Sequence, residues 1–446
     1  MRVKNKNILV YGLGKTGKGA IELLLKKKAK VFLYDDNLEN LKNYYRNGVI
    51  KLESLTQNIL KIFKFIVVNP SVSKYCEILK LATLLGIKLV SEIELASWFC
   101  KGNIYAITGS NGKTTTCTLL YNILKQSGRN CALVGNIGHS FCLEVAKNCR
   151  QDFVVEVSSF QLETTTKLKT KISGFLNFSE NHLDKHFSLD EYFKMKLKIF
   201  DNAKFSIVNF DDEFVRNIKR KHRSYFSKFS EVKGTFVKSN EIYFKDKRTE
   251  KVLDIEDIKL LGEHNVENVL TAVLFSKLLK VKNEIIKHVV QNFHGIEHRI
   301  EFVDKINGVL FFNDSKSTTI QSTLKALDCF KDKKVVLILG GSDKGFSYDK
   351  LFEDLPCQVN EIVAIGEMAD SIVKSAWKYN FYNVISTNSF VMAVNIAKNL
   401  AVNLGYDIVL LSPATASFDM FKNYEERGEV FKKLVEDLKN ETETQF

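Results

Sequence analysis

Proline is almost missing: there are three in 446 residues. Two of them, Pro70 and Pro413, stand just past short apolar runs, so no proline-rich linker marks a domain boundary. Long hydrophobic runs are missing too. No stretch approaches the roughly 20 apolar residues that a membrane-spanning helix needs. The basic start, Met1 to Lys6, leads into a short apolar run at 8–11 that Gly12 interrupts, which is too brief for an export signal. A cytoplasmic chain without membrane insertion is therefore expected. Paired cysteines are the third absence. Cys76, Cys100, Cys117, Cys131, Cys142, Cys149, Cys329 and Cys357 form no CxxC pair and no metal-ligand spacing. That argues against a disulfide framework or a cysteine-bound cluster and for reduced thiols.

The rest of the composition is that of an ordinary globular protein, with 45% hydrophobic and 26% charged residues. The length is too great for one core and suggests two to four domains. A formal charge of +13 invites a nucleic-acid reading. Lysine is spread over the whole chain beside abundant Asn, Ile and Phe, however, as an AT-rich genome would give. The one dense run, Lys219-Arg220-Lys221-His222-Arg223, reads as a solvated helix face or loop. Basic charge equally suits a polyanionic substrate such as a nucleotide.

Short apolar runs alternate with helical stretches from end to end, which predicts an α/β fold built on parallel sheets. Strands are expected at 8–11, 31–34, 66–68, 104–108, 153–157, 335–339, 362–365 and 408–411. In such sheets ligands gather at the carboxyl ends of the strands. The segment from 229 to 257 differs, with short polar pieces at 234–237 and 241–244 that predict a small antiparallel excursion.

Several strand ends carry candidate chemistry in the first half of the chain. Gly12-Leu13-Gly14-Lys15-Thr16-Gly17 follows a strand and opens a helix, and Asp35 ends the next strand. Its glycines permit close approach to a phosphate, yet a dehydrogenase, another nucleotide binder or a plain tight turn all fit. The motif Thr108-Gly109-Ser110-Asn111-Gly112-Lys113-Thr114-Thr115 is sharper. Ile107 stands where the first P-loop glycine belongs, leaving a shortened GxxGK[ST] loop. The physics is unchanged: amides cradle phosphates, Lys113 balances their charge, and Thr114 offers a hydroxyl to Mg²⁺. Such a loop needs a carboxylate nearby. Glu156, at the end of an apolar strand, is either that group or an exposed residue on an edge strand. His182, in Ser179-Glu180-Asn181-His182-Leu183-Asp184, is either a metal ligand or a satisfied polar residue.

Lys196 is singled out by helix geometry. Ser188-Leu189-Asp190-Glu191 reads as a capping box, so a helix should begin there. With Phe193 at the wheel's origin, Lys196 falls at about −60°, inside an apolar arc of Tyr192, Leu197, Ile199 and Phe200. Lys194 and Lys198 fall on the polar side. A lysine in the middle of a buried face must snorkel, pair or be modified. Further on, three more clusters follow apolar runs: His298-Arg299 with Asn313-Asp314-Ser315-Lys316-Ser317-Thr318-Thr319; Gly340-Gly341-Ser342-Asp343-Lys344-Gly345; and Ser412-Pro413-Ala414-Thr415-Ala416-Ser417-Phe418-Asp419. Singly each could be a surface turn. Together they suggest one anion-binding mouth facing the phosphate loop.

The set resembles the Mur ligases, and within them the members that add D-glutamate. The resemblance runs from Gly12 to Gly428 and is most specific at Glu156-Val157-Ser158-Ser159-Phe160-Gln161-Leu162-Glu163, at Asn313-Asp314-Ser315-Lys316, and from Ser412 to Arg427. It implies three domains: an N-terminal Rossmann-like UDP-substrate domain at 1–92, a central P-loop ATPase-like domain at 93–297, and a C-terminal Rossmann-like amino-acid domain at 298–446. It implies a cytoplasmic, ATP- and Mg²⁺-dependent ligase of peptidoglycan precursor synthesis. UDP-N-acetylmuramoyl-L-alanine and D-glutamate would be joined through an acyl phosphate by a monomer with no nucleic-acid partner.

Carried over position by position, the resemblance gives ATP to Gly109, Ser110, Asn111, Gly112, Lys113, Thr114, Thr115, Asn268, Arg299 and Asp314. It gives the UDP substrate to Gly14, Lys15, Thr16, Asp35, Asp36, Asn136 and His182. Mg²⁺ falls to Thr114, Glu156, His182 and Lys196, the last as a carbamate, with Lys113, Glu156, His182 and Lys196 catalytic. D-Glutamate falls to Lys316, Thr318, Lys344, Ser417, Phe418 and Tyr424. The chain departs from the family at Asn69-Pro70-Ser71 (usually Ser-Pro-Gly), Asn37 (often Arg), Thr415 (Cys) and Tyr424 (Phe). Three other readings stand beside this one. A sister amide ligase, including a folylpolyglutamate type, is opposed by the NDSK and SSFQLE segments. A dinucleotide oxidoreductase rests on residues 12–17 alone, and a nucleic-acid binder rests on charge alone.

Overall fold

The computed structural model describes residues 2–73, 76–179, 188–343, 345 and 347–443. His182 and Lys344 therefore lie outside the described residues. The chain forms two compact units, one of Met1–Ile258 with Glu263–Asn292 and one of Lys259–Gly262 with Phe293–Phe446.

The first unit carries two sheets. In the smaller, β1 (Asn7–Tyr11), β2 (Lys30–Tyr34), β3 (Val49–Lys51), β4 (Phe65–Val68) and β5 (Lys88–Ser91) run parallel in the order β3-β2-β1-β4-β5. The order reverses between β1 and β4, which opens a crevice at their carboxyl ends. Residues 12–17 and Asn69 border that crevice.

The larger sheet comprises β6 (Ile104–Thr108), β7 (Cys131–Gly135), β8 (Asp152–Glu156), β9 (Ile172–Phe175), β10 (Ser206–Asn209), β11 (Arg223–Ser227), β12 (Gly234–Lys238), β13 (Glu241–Lys245) and β14 (Thr249–Asp254). Its order is β14-β13-β12-β11-β10-β9-β6-β8-β7. Every residue of β6 is buried, as a strand covered on both faces should be. The antiparallel excursion is present as β12 to β14, and it extends this sheet: β12 pairs parallel with β11, and β13 and β14 follow antiparallel. The basic run 219–223 is a connection that enters β11.

The two sheets share a hydrophobic core that runs from Ile8, Val10 and Val31 through Ile93 and Phe141 to Ala106 and Val155. Helix Lys15–Lys26 packs on helix Phe141–Lys147 at this seam, so closely that a Cβ on Gly19 would stand 1.9 Å from the Ser140 hydroxyl.

In the second unit β15 (Glu301–Ile306) and β16 (Val309–Asn313) form a hairpin. Its Asn307-Gly308 turn has φ of 47° and 89°, the geometry for which Asn-Gly is favoured. With β17 (Val335–Gly340), β18 (Val359–Ile365), β19 (Val384–Thr387) and β20 (Ile408–Leu411) the order is β15-β16-β20-β17-β18-β19, parallel apart from the hairpin. Because β16, β20 and β17 are neighbours, the three polar clusters that follow them emerge side by side. Among the described residues no helix is long and apolar enough to cross a membrane, and all eight cysteines are free.

Candidate active site

The phosphate loop is built as its sequence demands. β6 ends at Thr108, and helix Lys113–Gln126 begins after Gly112, whose φ of 76° lies in the left-handed region. Only glycine fits there. The position favours φ above zero, and a Cβ would meet the Asn268 Oδ1 at 2.1 Å. Asn268, on helix His264–Leu278, is held in turn by Thr116 at 3.2 Å and Asn265 at 2.8 Å. On the other side the Asn177 side chain accepts from Asn111 N at 2.8 Å, and Ser110 exchanges hydrogen bonds with Ser179.

Two lysines converge on this loop. Lys113 Nζ donates to the carbonyls of Gly109 and Ser110, both at 2.8 Å, and Lys196 Nζ donates to the same Gly109 carbonyl at 2.7 Å. Lys196 lies on helix Leu189–Leu197, capped by Ser188 through Glu191 N, and only 2% of it is exposed. The helical wheel allowed snorkelling, pairing or modification. The structure keeps the ammonium inside, over the Tyr192 ring at 4.9 Å, while Lys194 faces solvent. Burial, then the neighbouring Lys113 charge, hold the Lys196 pKa well below that of an ordinary lysine, and only Glu156 opposes them. Both influences disfavour the charged form.

Glu156 ends β8, which is flanked by β6 and β7, so the edge-strand alternative fails. Its carboxylate is 1% exposed. Oε1 accepts from Asn136 Nδ2 at 2.8 Å, and Oε2 is buried without a hydrogen-bond partner among the described residues. A buried carboxylate oxygen left bare is costly and asks for a cation. A hard divalent ion suits that oxygen, and the hydroxyl of Thr114, a buried residue in the first turn of helix Lys113–Gln126, is a further candidate ligand.

At the first sheet's crevice, Asp35 is turned onto its own loop. Its carboxylate accepts from Leu13 N at 2.6 Å, Asn37 N at 2.9 Å and Asn40 at 3.1 Å. Asp36 accepts from the Tyr11 hydroxyl at 2.8 Å. Gly14 and Lys15 are exposed and Thr16 is partly so. Two departures from the family find uses here. Asn37 caps helix Leu38–Asn43 by accepting from Glu39 N at 2.9 Å. Asn69 takes both Ser71 donors, N at 3.1 Å and Oγ at 3.0 Å.

In the second unit Asp314 is 1% exposed and accepts from Ser412 Oγ at 2.7 Å and from Ile300 N at 3.2 Å. Burial raises its pKa to about 6 against the pull of Ser317, Ser412 and Arg299. Arg299 is exposed and sits between His298 and Ile300, whose φ values of 62° and 46° are uncommon for side-chain-bearing residues. Lys316 Nζ lies over the Tyr424 ring at 5.7 Å. Burial pushes the Tyr424 hydroxyl up to about 12. Thr318 is half-buried, Ser417 is buried and Phe418 is exposed. Thr415 donates from its hydroxyl to Ser342 O at 2.7 Å, which ties the loop after β20 to the loop after β17.

Sequence reasoning missed several organising groups. Arg427 is 2% exposed and donates to Ser315 Oγ and O, both at 2.9 Å, and to the carbonyls of Ala416 and Thr415, both at 3.2 Å. Burial lowers its pKa to about 10. One guanidinium thus stitches the loops that carry Lys316 and Ser417. The signal was available: Arg427, Phe431, Val435 and Leu438 line the buried side of helix Tyr424–Glu443 at helical spacing. The contact of Asn136 with Glu156 was missed as well, as was the Asn177 support, because both join residues far apart in the chain.

The comparisons with known proteins agree with one another. The profile for the Mur ligase middle domain matches residues 107–276, and that for the Mur ligase MurD-like N-terminal domain matches residues 6–91. A UDP-N-acetylmuramoylalanine--D-glutamate ligase of Thermoanaerobacter sp. (strain X514) is 39% identical over 98% of this chain and 100% of its own length. The enzyme of the same name from Geobacillus kaustophilus (strain HTA426) is 38% identical over 98% of each chain. Among solved structures, UDP-N-acetylmuramate-alanine ligase MurC from Thermotoga maritima has a TM-score of 0.58 at 15% identity, covering 97% of this chain and 100% of that one. MurF ligase from Thermotoga maritima in complex with ADP has a TM-score of 0.56 at 18% identity, covering 98% and 96%. These two structures share the fold.

Proposed function

The chain belongs to the Mur ligase family, and from that premise we propose that it joins D-glutamate to UDP-N-acetylmuramoyl-L-alanine at the expense of ATP, in the cytoplasmic synthesis of peptidoglycan precursors. The observation that carries the chemistry is the buried Glu156 carboxylate, with its bare Oε2, at the phosphate loop where Lys113 and Lys196 meet. Relatives aligned along nearly their whole length select the amino acid. Three domains, at 1–92, 93–297 and 298–446, are the division of labour this reading carries.

The substrate carboxylate would attack the γ-phosphorus of ATP, releasing ADP and leaving an acyl phosphate. The amine of D-glutamate would then attack the acyl carbon and lose a proton, and the tetrahedral intermediate would collapse with loss of phosphate. Lys113 has the position to leave its loop carbonyls and meet the β- and γ-phosphates, and the loop amides at 109–115 would cradle them. Glu156 and Thr114, with Lys196 as a carbamate, would hold Mg²⁺, which when bound offsets phosphate charge. His182 is carried with them from the resemblance. The lowered pKa of the buried Lys196 favours loss of its proton, and the free amine would add CO₂ and release a second proton to leave a carbamate anion. Asn268 supports the loop from behind. Asp314 and Arg299 would complete the ATP site, and Lys316, Thr318, Lys344, Ser417, Phe418 and Tyr424 would receive D-glutamate. Residues 14–16, Asp35, Asp36 and Asn136 would take the UDP substrate. The enzyme is proposed to act as a monomer.

The test is direct. Purified protein given UDP-N-acetylmuramoyl-L-alanine, ATP and Mg²⁺ should release phosphate only when D-glutamate is added. Release with L-glutamate or meso-diaminopimelate in its place removes the assignment.

A further inference from the structure

Glu92 is the first residue of helix Glu92–Phe99, directly after β5 of the smaller sheet. It is 1% exposed, and the reaction outlined above gives it no task. Its Oε1 accepts from Ser140 Oγ and from Cys142 N, both at 2.6 Å, while the Cys142 thiol donates to the Glu92 carbonyl at 3.3 Å. Its Oε2 is buried with no hydrogen-bond partner among the described residues. The side chain is thus a polar fastening between the smaller sheet and the segment that follows β7 of the larger one. Gly19 closes the same point from a third element, leaving Ser140 no room to shift toward helix Lys15–Lys26.

What is fastened matters. Residues 135–140 form a tight turn: Gly135 N donates to His139 O at 3.3 Å, His139 N donates to Leu133 O at 3.5 Å, and Gly138 has a φ of 72°. Asn136 sits inside this turn. It reaches Glu156 twice, through its backbone N to Glu156 O at 3.0 Å and through Nδ2 to Oε1 at 2.8 Å. Glu92 thus holds Ser140 and Cys142 by hydrogen bonds at the point where the backbone leaves the turn, and Asn136 inside the turn is hydrogen-bonded to the carboxylate at the phosphate loop.

We infer that Glu92 is a positioning residue for the reaction: by pinning the turn 135–140 from the neighbouring sheet, it fixes Asn136 and so the orientation in which Glu156 presents its bare oxygen to the metal. Burial raises the pKa of Glu92 against the hydrogen bonds it accepts. Glutamine, which keeps the length and an acceptor oxygen for Ser140 and Cys142, is its nearest substitute. The inference rests on Glu156 being a metal ligand, as proposed above.

Partners that orient a ligand cost roughly 10–100-fold in metal affinity or activity when lost. The experiment compares Glu92→Ala, Glu92→Gln and Ser140→Ala with the unaltered protein by two readouts. One is the Mg²⁺ concentration for half-maximal phosphate release. The other is Mn²⁺ binding by electron paramagnetic resonance in the presence of ADP, which needs no ligase turnover. Glu92→Ala should weaken Mn²⁺ binding and raise the Mg²⁺ requirement about tenfold, while leaving KM for D-glutamate unchanged. Glu92→Gln should restore both to within about threefold, and Ser140→Ala should fall between the two. Should Glu92→Ala fail to fold, the Ser140→Ala and Glu92→Gln pair carries the same contrast. Unaltered Mn²⁺ binding in folded Glu92→Ala or Ser140→Ala, with only a lowered Tm, overturns the inference and leaves Glu92 a packing residue. A loss in Glu92→Gln equal to that in Glu92→Ala also overturns it. If the unaltered protein binds Mn²⁺ with ADP but does not use D-glutamate, the assigned reaction fails while the Glu92 inference is still decided by Mn²⁺ binding.

Discussion

Two glycine loops in the first unit share a local design and differ in what surrounds them. Residues 12–17 follow β1, residues 109–112 follow β6, and each opens a helix at the carboxyl end of a parallel strand. At the first loop the nearest acid, Asp35, is spent on holding Leu13 N. Lys15, the lysine of that loop, is exposed. At the second, two lysines lie against the loop carbonyls and a buried carboxylate oxygen has no hydrogen-bond partner among the described residues. A glycine loop alone makes room for a phosphate. Chemistry at that phosphate requires charges that the fold has already removed from water, because only there are they worth more than solvent.

That contrast can be broken most sharply at Lys113. Lys113→Ala should lower kcat for ATP-dependent phosphate release by about 10³-fold while circular dichroism and the thermal midpoint change little. Undiminished turnover would place the phosphates elsewhere. Lys196→Ala comes next, with an expected loss of about 10²-fold and partial rescue by a small carboxylic acid that stands in for the carbamate. Full activity without rescue would leave Lys196 a buried structural amine. The smallest effect belongs to the other loop. Asp35→Ala should raise KM for the UDP substrate about tenfold and leave KM for ATP and kcat near their original values. A kcat defect comparable to that of Lys113→Ala would erase the distinction between the loops.

Much of this was legible in the chain. Runs at 8–11, 104–108 and 408–411 gave strands because parallel strands covered on both faces must be apolar throughout. Ser188 and Glu191 announced the helix start, and the wheel singled out Lys196 before any contact was known. The loop 109–115 declared itself by glycine spacing. What stayed hidden involves partners distant in sequence. Asn136 on Glu156, Asn177 on Asn111 and Arg427 on Ser315 link segments brought together by sheet order, and periodicity carries no information about that order. Even the choice between snorkelling and burial at Lys196 depended on the Gly109 carbonyl, 87 residues away along the chain.

The sequence by itself determined the local elements, the two glycine loops and the inventory of acids and bases, because helix caps, tight turns and buried strands each obey short-range rules of sterics and hydrogen bonding. Only the tertiary structure decided which of those groups lose water together. Desolvation depends on every element packed around a group. It is what buries the carboxylate of Glu156, lowers the pKa of Lys196 and makes Glu92 a fastening between two sheets.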